Sequence, residues 1–207
     1  MVLNLVQGNL FIITAASGAG KTSLVSELLA KDSQVKLSIS HTTRPGRSGE
    51  QNGVHYHFVS ETQFLEILNT GGFLESAHVH SARYGTSQTH VHEALHAGFD
   101  VILEIDWQGA AQVRKLYPKS IGIFILPPSV ETLQQRLNNR GQDSSEVIAK
   151  RVAAARAEMS HVVEFDYVTI NDDFEAALQD LMAIIRASRL SAKAQLKRYA
   201  TLIQDLT

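Results

Sequence analysis

A glycine-containing turn between an apolar run and an amphipathic pattern constrains this chain more than any other feature. The turn spans residues 15–22 and reads AASGAGKT. It follows the β-branched run 10–14, and it precedes a pattern in which Leu24, Val25 and Leu28 share one helical face. The order strand, glycine turn, helix is the setting of a phosphate-binding loop, because backbone N–H groups and the helix N-terminus then converge on an anion.

The last two residues of the turn carry side chains that a nucleotide phosphate requires. Lys21 supplies a mobile positive charge, and the Thr22 hydroxyl is a hard oxygen ligand suited to Mg²⁺. The match to G-x-x-x-x-G-K-[ST] fails only at the first position, where Ala15 stands in place of the usual glycine. The alternative is an ordinary strand-to-helix turn with a chance lysine. We predict nucleotide-phosphate binding.

Length and composition narrow the class of protein. The 207 residues suit one domain with small insertions, and 44% hydrophobic with 19% charged residues is typical of a soluble globular chain. The formal net charge of −2 and the lack of a basic run argue against a nucleic-acid partner. The absence of cysteine fits a reducing cytosol, and no segment resembles a signal peptide or a membrane span. We expect a cytoplasmic protein.

Apolar runs that are typical of strands alternate with helical patterns along much of the chain. The runs are 11–14, 35–39, 101–105, 121–126 and 167–170. This alternation predicts an α/β fold with a mainly parallel sheet and helices on both faces. Ligands bind at the carboxyl ends of such strands, where the phosphate loop, Glu104 and Asp106 all lie.

Two stretches interrupt this alternation. Residues 38–86 are rich in Ser, Thr, Gly, His and Arg, and they predict an inserted, mostly β subdomain with a capping box at 60–63. A second insertion begins at Pro127, where Ser129 is expected to cap a helix through Leu137 and either Ser144 or Ser145 to cap the next. A long helix is expected from Asp173.

Residues with the chemistry of nucleotide recognition lie in the first insertion. Arg44 and Arg47 beside hydroxyl residues predict a phosphate clamp, although paired arginines in loops are often merely solvated. Glu75 is a candidate guanine-reading residue, because one carboxylate accepts from both N1–H and the N2 amino group, and a hydroxyl from Thr86 suits O6. The alternative for Glu75 is an exposed residue near a turn.

Further charged residues are candidates at the strand end and in the second insertion. A carboxylate such as Glu104 or Asp106 near a phosphate loop reaches Mg²⁺ directly or through water, or else caps the next helix. Arg136, Arg140 and Arg151 on a closing flap would neutralise charge in the transition state; their alternative is a solvated helix face.

The stretch His92-Glu93-Ala94-Leu95-His96 matches the zinc-protease pattern H-E-x-x-H. A third ligand is missing at the spacing of the extended motif, and Val91, Leu95 and Phe99 form the inward face of an ordinary amphipathic helix. We therefore interpret this segment as a connector rather than a metal site.

Taken together, these motifs resemble those of the guanylate kinase family, of the bacterial type, from Gly8 to about Arg189. The resemblance rests on residues 17–22, 40–44, 49–50, 84–86, 105–109, 127–129, 140–141 and 171–173. It implies a P-loop NTPase three-layer fold in one domain, with the core at 1–37, 91–126 and 158–207, a GMP-binding subdomain at 38–90 and a lid at 127–157. It also implies Mg²⁺-dependent phosphoryl transfer from ATP to GMP, giving ADP and GDP.

The resemblance further implies roles for individual residues. The catalytic candidates are Lys21, Arg44, Arg136 and Arg151. The ATP-binding candidates are Ala15, Ala16, Ser17, Gly18, Ala19, Gly20, Lys21, Thr22, Arg140 and Asn171, with Thr22 also at the metal and Asn171 near adenine. The GMP-binding candidates are Ser40, Arg44, Arg47, Tyr56, Glu75, Tyr84, Thr86, Glu104 and Asp106, of which Ser40, Glu75 and Thr86 read guanine. The roles of Glu104 and Asp106 are not separated.

The chain departs from the family pattern in places. Glu104 stands where an aspartate is common, and Arg83 replaces a common tyrosine. Two other functions remain open: a catalytically inactive binding module that recognises phosphopeptides, and a related P-loop kinase with a different acceptor. The intact Lys21-Thr22 pair argues against the first and the guanine-reading residues against the second. Whether the chain is a monomer or a homo-oligomer stays undecided.

Overall fold

A computed structural model describes residues 7–79, 81–139 and 145–207. Its strands are β1 Leu10–Ala15, β2 Val35–Leu37, β3 His41–Thr42, β4 His57–Phe58, β5 Phe73–Val79, β6 Ala82–Ser87, β7 Asp100–Glu104, β8 Ile121–Leu126 and β9 Tyr167–Ile170. Its helices are α1 Lys21–Lys31, α2 Glu61–Asn69, α3 Gln88–His96, α4 Trp107–Leu116, α5 Val130–Asn139, α6 Ser145–Met159, α7 Phe174–Arg189, α8 Ala192–Arg198 and α9 Ala200–Leu206.

The central sheet has five parallel strands in the order β2-β7-β1-β8-β9. All five apolar runs of the sequence form these strands, so the prediction of a mainly parallel sheet is confirmed. β2 is shorter than the run 35–39 that predicted it, because it ends at Leu37. With β1 in the middle, the phosphate loop that follows it lies at the centre of the carboxyl edge, where ligands bind in such sheets.

Helices cover both faces of the central sheet, as predicted. On one face α1 and α7 pack against the sheet through a core that includes Phe11, Leu28 and Leu181. On the other face α3 and α4 pack through a core that includes Ile12, Leu95 and Val113. Successive β1 residues therefore serve opposite cores, as the two-residue period of a strand requires.

The first insertion forms a second sheet in the order β4-β3-β6-β5. β5 and β6 form an antiparallel hairpin, β3 adds to β6 antiparallel, and β4 adds to β3 in parallel. Its small core includes Phe64 of α2, which packs on Phe73 with ring centroids 4.5 Å apart. The predicted capping box is present, because Ser60 and Gln63 exchange side-chain and backbone hydrogen bonds.

The second insertion contains α5 and α6, which share a core of Ala16, Leu133, Leu137, Ile148 and Ala155. Ser129 accepts a hydrogen bond from the Thr132 backbone N–H at 3.0 Å, which confirms the predicted cap. Within the described chain, α5 runs to Asn139 rather than to Leu137. Ser144 lies outside the described residues, and Ser145 is the first residue of α6.

The carboxyl-terminal segment begins with the long helix that the sequence predicts. Asp173 caps α7 by accepting a hydrogen bond from the Ala176 N–H at 2.8 Å. Two further short helices, α8 and α9, follow it and were not predicted from the sequence. None of the helices in the described ranges is both long and apolar enough to span a bilayer.

Candidate functional site

A cavity of about 150 Å³ lies where the carboxyl edge of the central sheet faces the inserted sheet. Most of the residues around it are candidates from the sequence. They are Lys21, Ser40, Tyr56, Glu75, Ala77, Val79, Tyr84, Glu104, Ile105 and Asp106. The two regions of the fold therefore bring together the predicted phosphate-binding lysine and the predicted guanine-reading carboxyl group within one cavity.

The phosphate loop has the backbone conformation that its glycines predict. Gly18 and Gly20 have φ of 94° and 97°, in the left-handed region that favours glycine. A Cβ at Gly20 would also lie 2.3 Å from the Asn171 side-chain nitrogen. The second glycine thus serves both the turn of the loop and the close packing of the asparagine behind it.

Asn171 and Arg136 support this loop from behind. The Asn171 amide, which is 4% exposed, donates to the Ala19 carbonyl at 2.7 Å. Arg136 donates to the Ala19 carbonyl at 3.4 Å and to the Asn171 carbonyl at 2.9 Å. Both side chains hold the loop backbone in place in this conformation, whereas the resemblance implied nucleotide contacts for them.

The two polar residues that open α1 face the end of β7. The Lys21 ammonium donates to the Ile105 carbonyl at 3.5 Å, and the Thr22 hydroxyl donates to the Glu104 carboxylate at 2.6 Å. Burial lowers the pKa of Lys21, and Glu104, Asp106 and Glu158 oppose that shift. The lysine charge is thus held among carboxylates, at the position where phosphates enter such a loop.

The residues at this position fit a magnesium ion that accompanies a nucleotide. The Thr22 hydroxyl and the Glu104 carboxylate lie within hydrogen-bonding distance, and both are hard oxygen donors. Mg²⁺ is bound by one or two protein oxygens together with waters and phosphate oxygens, rather than by a complete protein cage. A hydroxyl and a carboxylate next to a phosphate loop meet that requirement.

Glu75 lies on the inserted-sheet side of the cavity and is 4% exposed. Burial raises its pKa to about 7, the nearby Asp106 adds to this effect, and a hydrogen bond from Thr86 opposes it. That bond runs from the Thr86 hydroxyl to Glu75 Oε1 at 2.7 Å. The carboxyl group of Glu75 therefore changes its charge near neutral pH and faces the cavity beside a hydroxyl.

Gly109 allows the Glu75 carboxyl group to reach the start of α4. A Cβ at Gly109 would lie 2.6 Å from Glu75 Oε2. The Gly109 N–H donates to Asp106, which caps α4, at 2.9 Å. Glycine at this position thus brings two carboxyl groups from different sheets close together.

Arg44 lies beside the cavity but is engaged by another residue. Its guanidinium donates to Glu50 at 2.7 Å and to the Pro45 carbonyl at 2.7 Å. Glu50 and Tyr84 both raise the pKa of Arg44. Glu50 accepts in addition from the Arg47 backbone N–H at 2.6 Å. The Arg47 side chain is exposed, and neither Arg44 nor Arg47 is among the residues that line the cavity. The predicted clamp therefore stays a prediction.

The second insertion reaches the phosphate loop through two side chains of α6. Arg151 donates to the Ser17 hydroxyl at 2.5 Å, and the Ser17 N–H donates to Glu158 at 3.3 Å. A cation and an anion of the lid helix thus contact one loop residue. Arg140, the third arginine expected in the lid, lies outside the described residues.

The remaining sequence candidates have structural explanations. His92 contacts the Tyr117 hydroxyl, which suits the interpretation of α3 as a connector rather than a zinc helix. In the described ranges no group of three or more His, Cys, Asp or Glu side chains is arranged to hold a metal ion. Arg83, the departure from the family pattern, forms an ion pair with Glu61 at 2.6 Å.

Besides the apolar lining residues Ala77, Val79 and Ile105, the sequence predicted no functional role for Glu50, Gly109 and Glu158. Glu50 and Gly109 belong to motifs that the sequence displays, so their positions were noted but their contacts were not foreseen. Glu158 has no local signal, because it meets Ser17 across 141 residues of chain. Only the packing of α6 over the loop brings these two residues together.

Comparisons with known proteins agree with this geometry. The guanylate kinase family model matches residues 7–188. The chain is 67% identical over 201 residues to guanylate kinase of Methylobacillus flagellatus, covering 97% of this chain and 100% of the relative. It is 57% identical over 199 residues to guanylate kinase of Dechloromonas aromatica, covering 96% and 98%.

A solved structure supports the same assignment. The crystal structure of guanylate kinase from Anaplasma phagocytophilum superposes with a TM-score of 0.76 at 30% identity, covering 90% of this chain and 89% of the other. Most of the fold of this chain is therefore shared with a solved guanylate kinase. The chain belongs to the guanylate kinase family.

Proposed function

We propose that this chain is an ATP:GMP phosphotransferase, which converts ATP and GMP to ADP and GDP. The observation that carries the proposal is the single cavity that Lys21 and Glu75 both line. One residue suits the phosphates of a donor nucleotide, and the other suits the N1–H and N2 amino groups of guanine. Family membership supports the same reaction.

The acceptor needs no general base, because the GMP phosphate is already an anion. The obstacle is repulsion between two polyanions that must meet in line. In the reaction, an oxygen of the GMP phosphate forms a bond to the γ-phosphorus of ATP as the bond to ADP breaks. Loop N–H groups and Lys21 lower the repulsion by neutralising and aligning the phosphate oxygens.

Several arginines complete this charge balance in our proposal. Arg44 positions the acceptor phosphate with Tyr56 and Tyr84, and the lid residue Arg151 moves from Ser17 to the transferring group. Both guanidinium groups have polar partners in this conformation, so ligand phosphates compete with Glu50 and with Ser17 for them. We assign Arg136 and Asn171 to holding the loop, and Arg47 and Arg140 to phosphate contacts made on closure.

We propose that Mg²⁺ binds with ATP, held by Thr22 and by Glu104 directly or through water. When bound, the ion supplies charge neutralisation at the β- and γ-phosphates. Ser40, Glu75, Thr86 and Asp106 select guanine, and residues 38–90 and 127–157 act as the GMP-binding subdomain and the lid. We place the reaction in the cytoplasm, the compartment that the cysteine-free composition fits.

A coupled ADP-release assay with Mg-ATP tests this function. GMP, AMP, UMP and CMP are offered in parallel to the same preparation. We expect turnover with GMP and less than a hundredth of that rate with the other acceptors. Turnover with a different nucleotide would indicate another P-loop kinase. Folded protein that binds GMP without any turnover would indicate a binding module.

A further inference from the structure

A second cavity lies at the opposite edge of the central sheet from the phosphate loop. Its volume is about 1430 Å³. Leu10 and Asp100, the first residues of β1 and β7, are in its wall, together with residues of α7 and α8. Because the phosphate loop follows the carboxyl end of β1, the two cavities are separated by the length of the sheet.

The second cavity is strongly cationic. Among the described residues, six of the chain's 19 lysines and arginines line it, against a single carboxylate, Asp100. The six are Lys119, Arg186, Arg189, Lys193, Lys197 and Arg198. The whole chain has a net charge of −2, so this concentration of positive charge is local rather than a property of the composition.

Only one of these cations is neutralised by neighbouring acids. Arg189 donates to Asp100 at 2.6 Å and to Asp32 at 2.7 Å, which fixes its guanidinium at the cavity wall. The other five form no ion pair with any carboxylate of the described residues. The positive charge of these five side chains around the cavity is therefore not neutralised by carboxylates of the described residues.

Two of the unpaired cations, Lys119 and Lys193, are neighbours in this cavity. The Lys119 ammonium is near enough to that of Lys193 to repel it, and Lys197 adds to the repulsion. This repulsion lowers the pKa of Lys193. An oxyanion that accepts from both ammonium groups would replace this repulsion by two charge-assisted hydrogen bonds.

We propose that this cavity binds the polyphosphate chain of a small molecule, at a site separate from the catalytic cavity. Several cations distributed around one cavity match a ligand with several phosphate groups better than a single phosphate. With a volume of about 1430 Å³, the cavity has room for a nucleoside polyphosphate as well as for an inorganic one. The inference goes beyond the proposed function and does not depend on it.

Calorimetric titration of the whole protein with inorganic tripolyphosphate tests this site. GMP at saturation and ADP at one equivalent per chain are present, without added metal, so that the catalytic cavity is filled and no excess ADP competes at the second cavity. The test variant is Lys119→Glu/Lys193→Glu. The control Lys31→Glu/Lys115→Glu changes the net charge equally, with residues that do not line the cavity. Kinase turnover and circular dichroism check that both variants are folded.

We expect the wild type and the control to bind one tripolyphosphate with similar affinity, and the test variant to bind it at least tenfold more weakly. The milder Lys119→Gln/Lys193→Gln replaces the test variant if charge reversal prevents folding. A parallel titration with adenosine 5′-tetraphosphate identifies the source of the phosphates: tighter binding than tripolyphosphate supports a nucleotide ligand, and equal binding an inorganic one. Equal affinity in test and control variants, or no binding to the wild type, overturns the proposal.

Discussion

The two sides of the catalytic cavity handle charge in opposite ways. On the phosphate-loop side, Lys21 remains among three carboxylates whose fields oppose the effect of burial on its pKa. On the inserted-sheet side, Glu75 is buried beside a hydroxyl and near another carboxyl group, and its pKa rises to about 7. On the phosphate-loop side, neighbouring carboxylates stabilise the positive charge of Lys21. On the inserted-sheet side, the charge of Glu75 depends on pH near neutrality.

Under the proposed function, this difference would assign phosphoryl transfer to the phosphate-loop side and guanine selection to the inserted-sheet side. A supported cation next to loop N–H groups acts on phosphates, which every nucleotide has. A buried carboxyl group that touches a base discriminates between bases, because only some bases offer it two donors. Changes on the loop side should therefore affect turnover with any acceptor, and changes on the inserted-sheet side should affect guanine recognition.

The largest effect is expected from Lys21→Ala. Removing the loop cation takes away stabilisation of developing charge on the transferring phosphoryl group, so kcat should fall about 1,000-fold. Steady-state assays with GMP measure it, and Lys31→Ala, at the other end of the same helix, is the matched control. Near-normal turnover of the Lys21→Ala enzyme would contradict the role that we assign to this side.

Glu75→Gln should have the next largest effect, confined to the inserted-sheet side. The amide offers one acceptor oxygen instead of two, so kcat/KM for GMP should fall about 100-fold while kcat changes much less. Exposed Glu66→Gln in α2 controls for the loss of a carboxylate from the same subdomain. A kcat/KM for GMP within twofold of wild type would remove Glu75 from guanine recognition.

The two sides of the cavity also differ in how much of their structure the sequence predicts. The five strands of the central sheet, the strand-turn-helix at 10–31, the caps at Ser60 and Ser129 and the long helix after Asp173 are encoded by local patterns, and all are confirmed. Local signals of this kind depend on backbone geometry and hydrogen bonds between near neighbours in sequence. They are strongest on the loop side, where most of the binding groups are consecutive residues.

Contacts between distant segments could not be predicted in this way. The burial of Asn171 behind the loop, the contact between Glu158 and Ser17, and the approach of Glu75 to Gly109 all depend on how separate elements pack. Burial also sets the pKa of Glu75, and no local pattern encodes the burial of a single glutamate. The contacts and the burial on the inserted-sheet side therefore could not be predicted from local sequence patterns.

The raised pKa of Glu75 predicts that GMP binding weakens in acid. Only the ionised carboxylate accepts from both guanine donors, so KM for GMP should rise below about pH 7 and be about tenfold higher at pH 6. The GMP phosphate also titrates near pH 6. Glu75→Gln retains that phosphate titration but lacks the carboxyl group, so the difference between the two pH profiles isolates Glu75. Parallel profiles would contradict the prediction.

The smallest expected effect is a pH-dependent change in stability from His41, in the same inserted sheet. Burial lowers the pKa of His41 to about 4, and the neighbouring His57 and His90 contribute. The unfolded chain, with a histidine pKa near 6.5, binds more protons than the folded chain between these values. The contribution of His41 to the free energy of unfolding is complete above about pH 6.5, and it is lost as the pH falls towards 4.

Glu75 has the opposite sign, because its folded pKa is raised: the folded chain binds more protons between about pH 4.5 and 7, so its contribution is lost as the pH rises. The measurement is therefore made in the Glu75→Gln background, by urea unfolding at pH 7 and pH 5. Adding His41→Phe should remove about 1 kcal/mol of the pH-dependent loss, a value reduced for the partial exposure of the ring. His96→Phe, at an exposed position on α3, is the matched control. The prediction is contradicted if the His41→Phe and His96→Phe variants lose the same stability between pH 7 and pH 5. The packing of His41 against Phe73 would then not keep His41 neutral. Glu75 would be the one group of the pair whose charge burial controls on this side of the cavity.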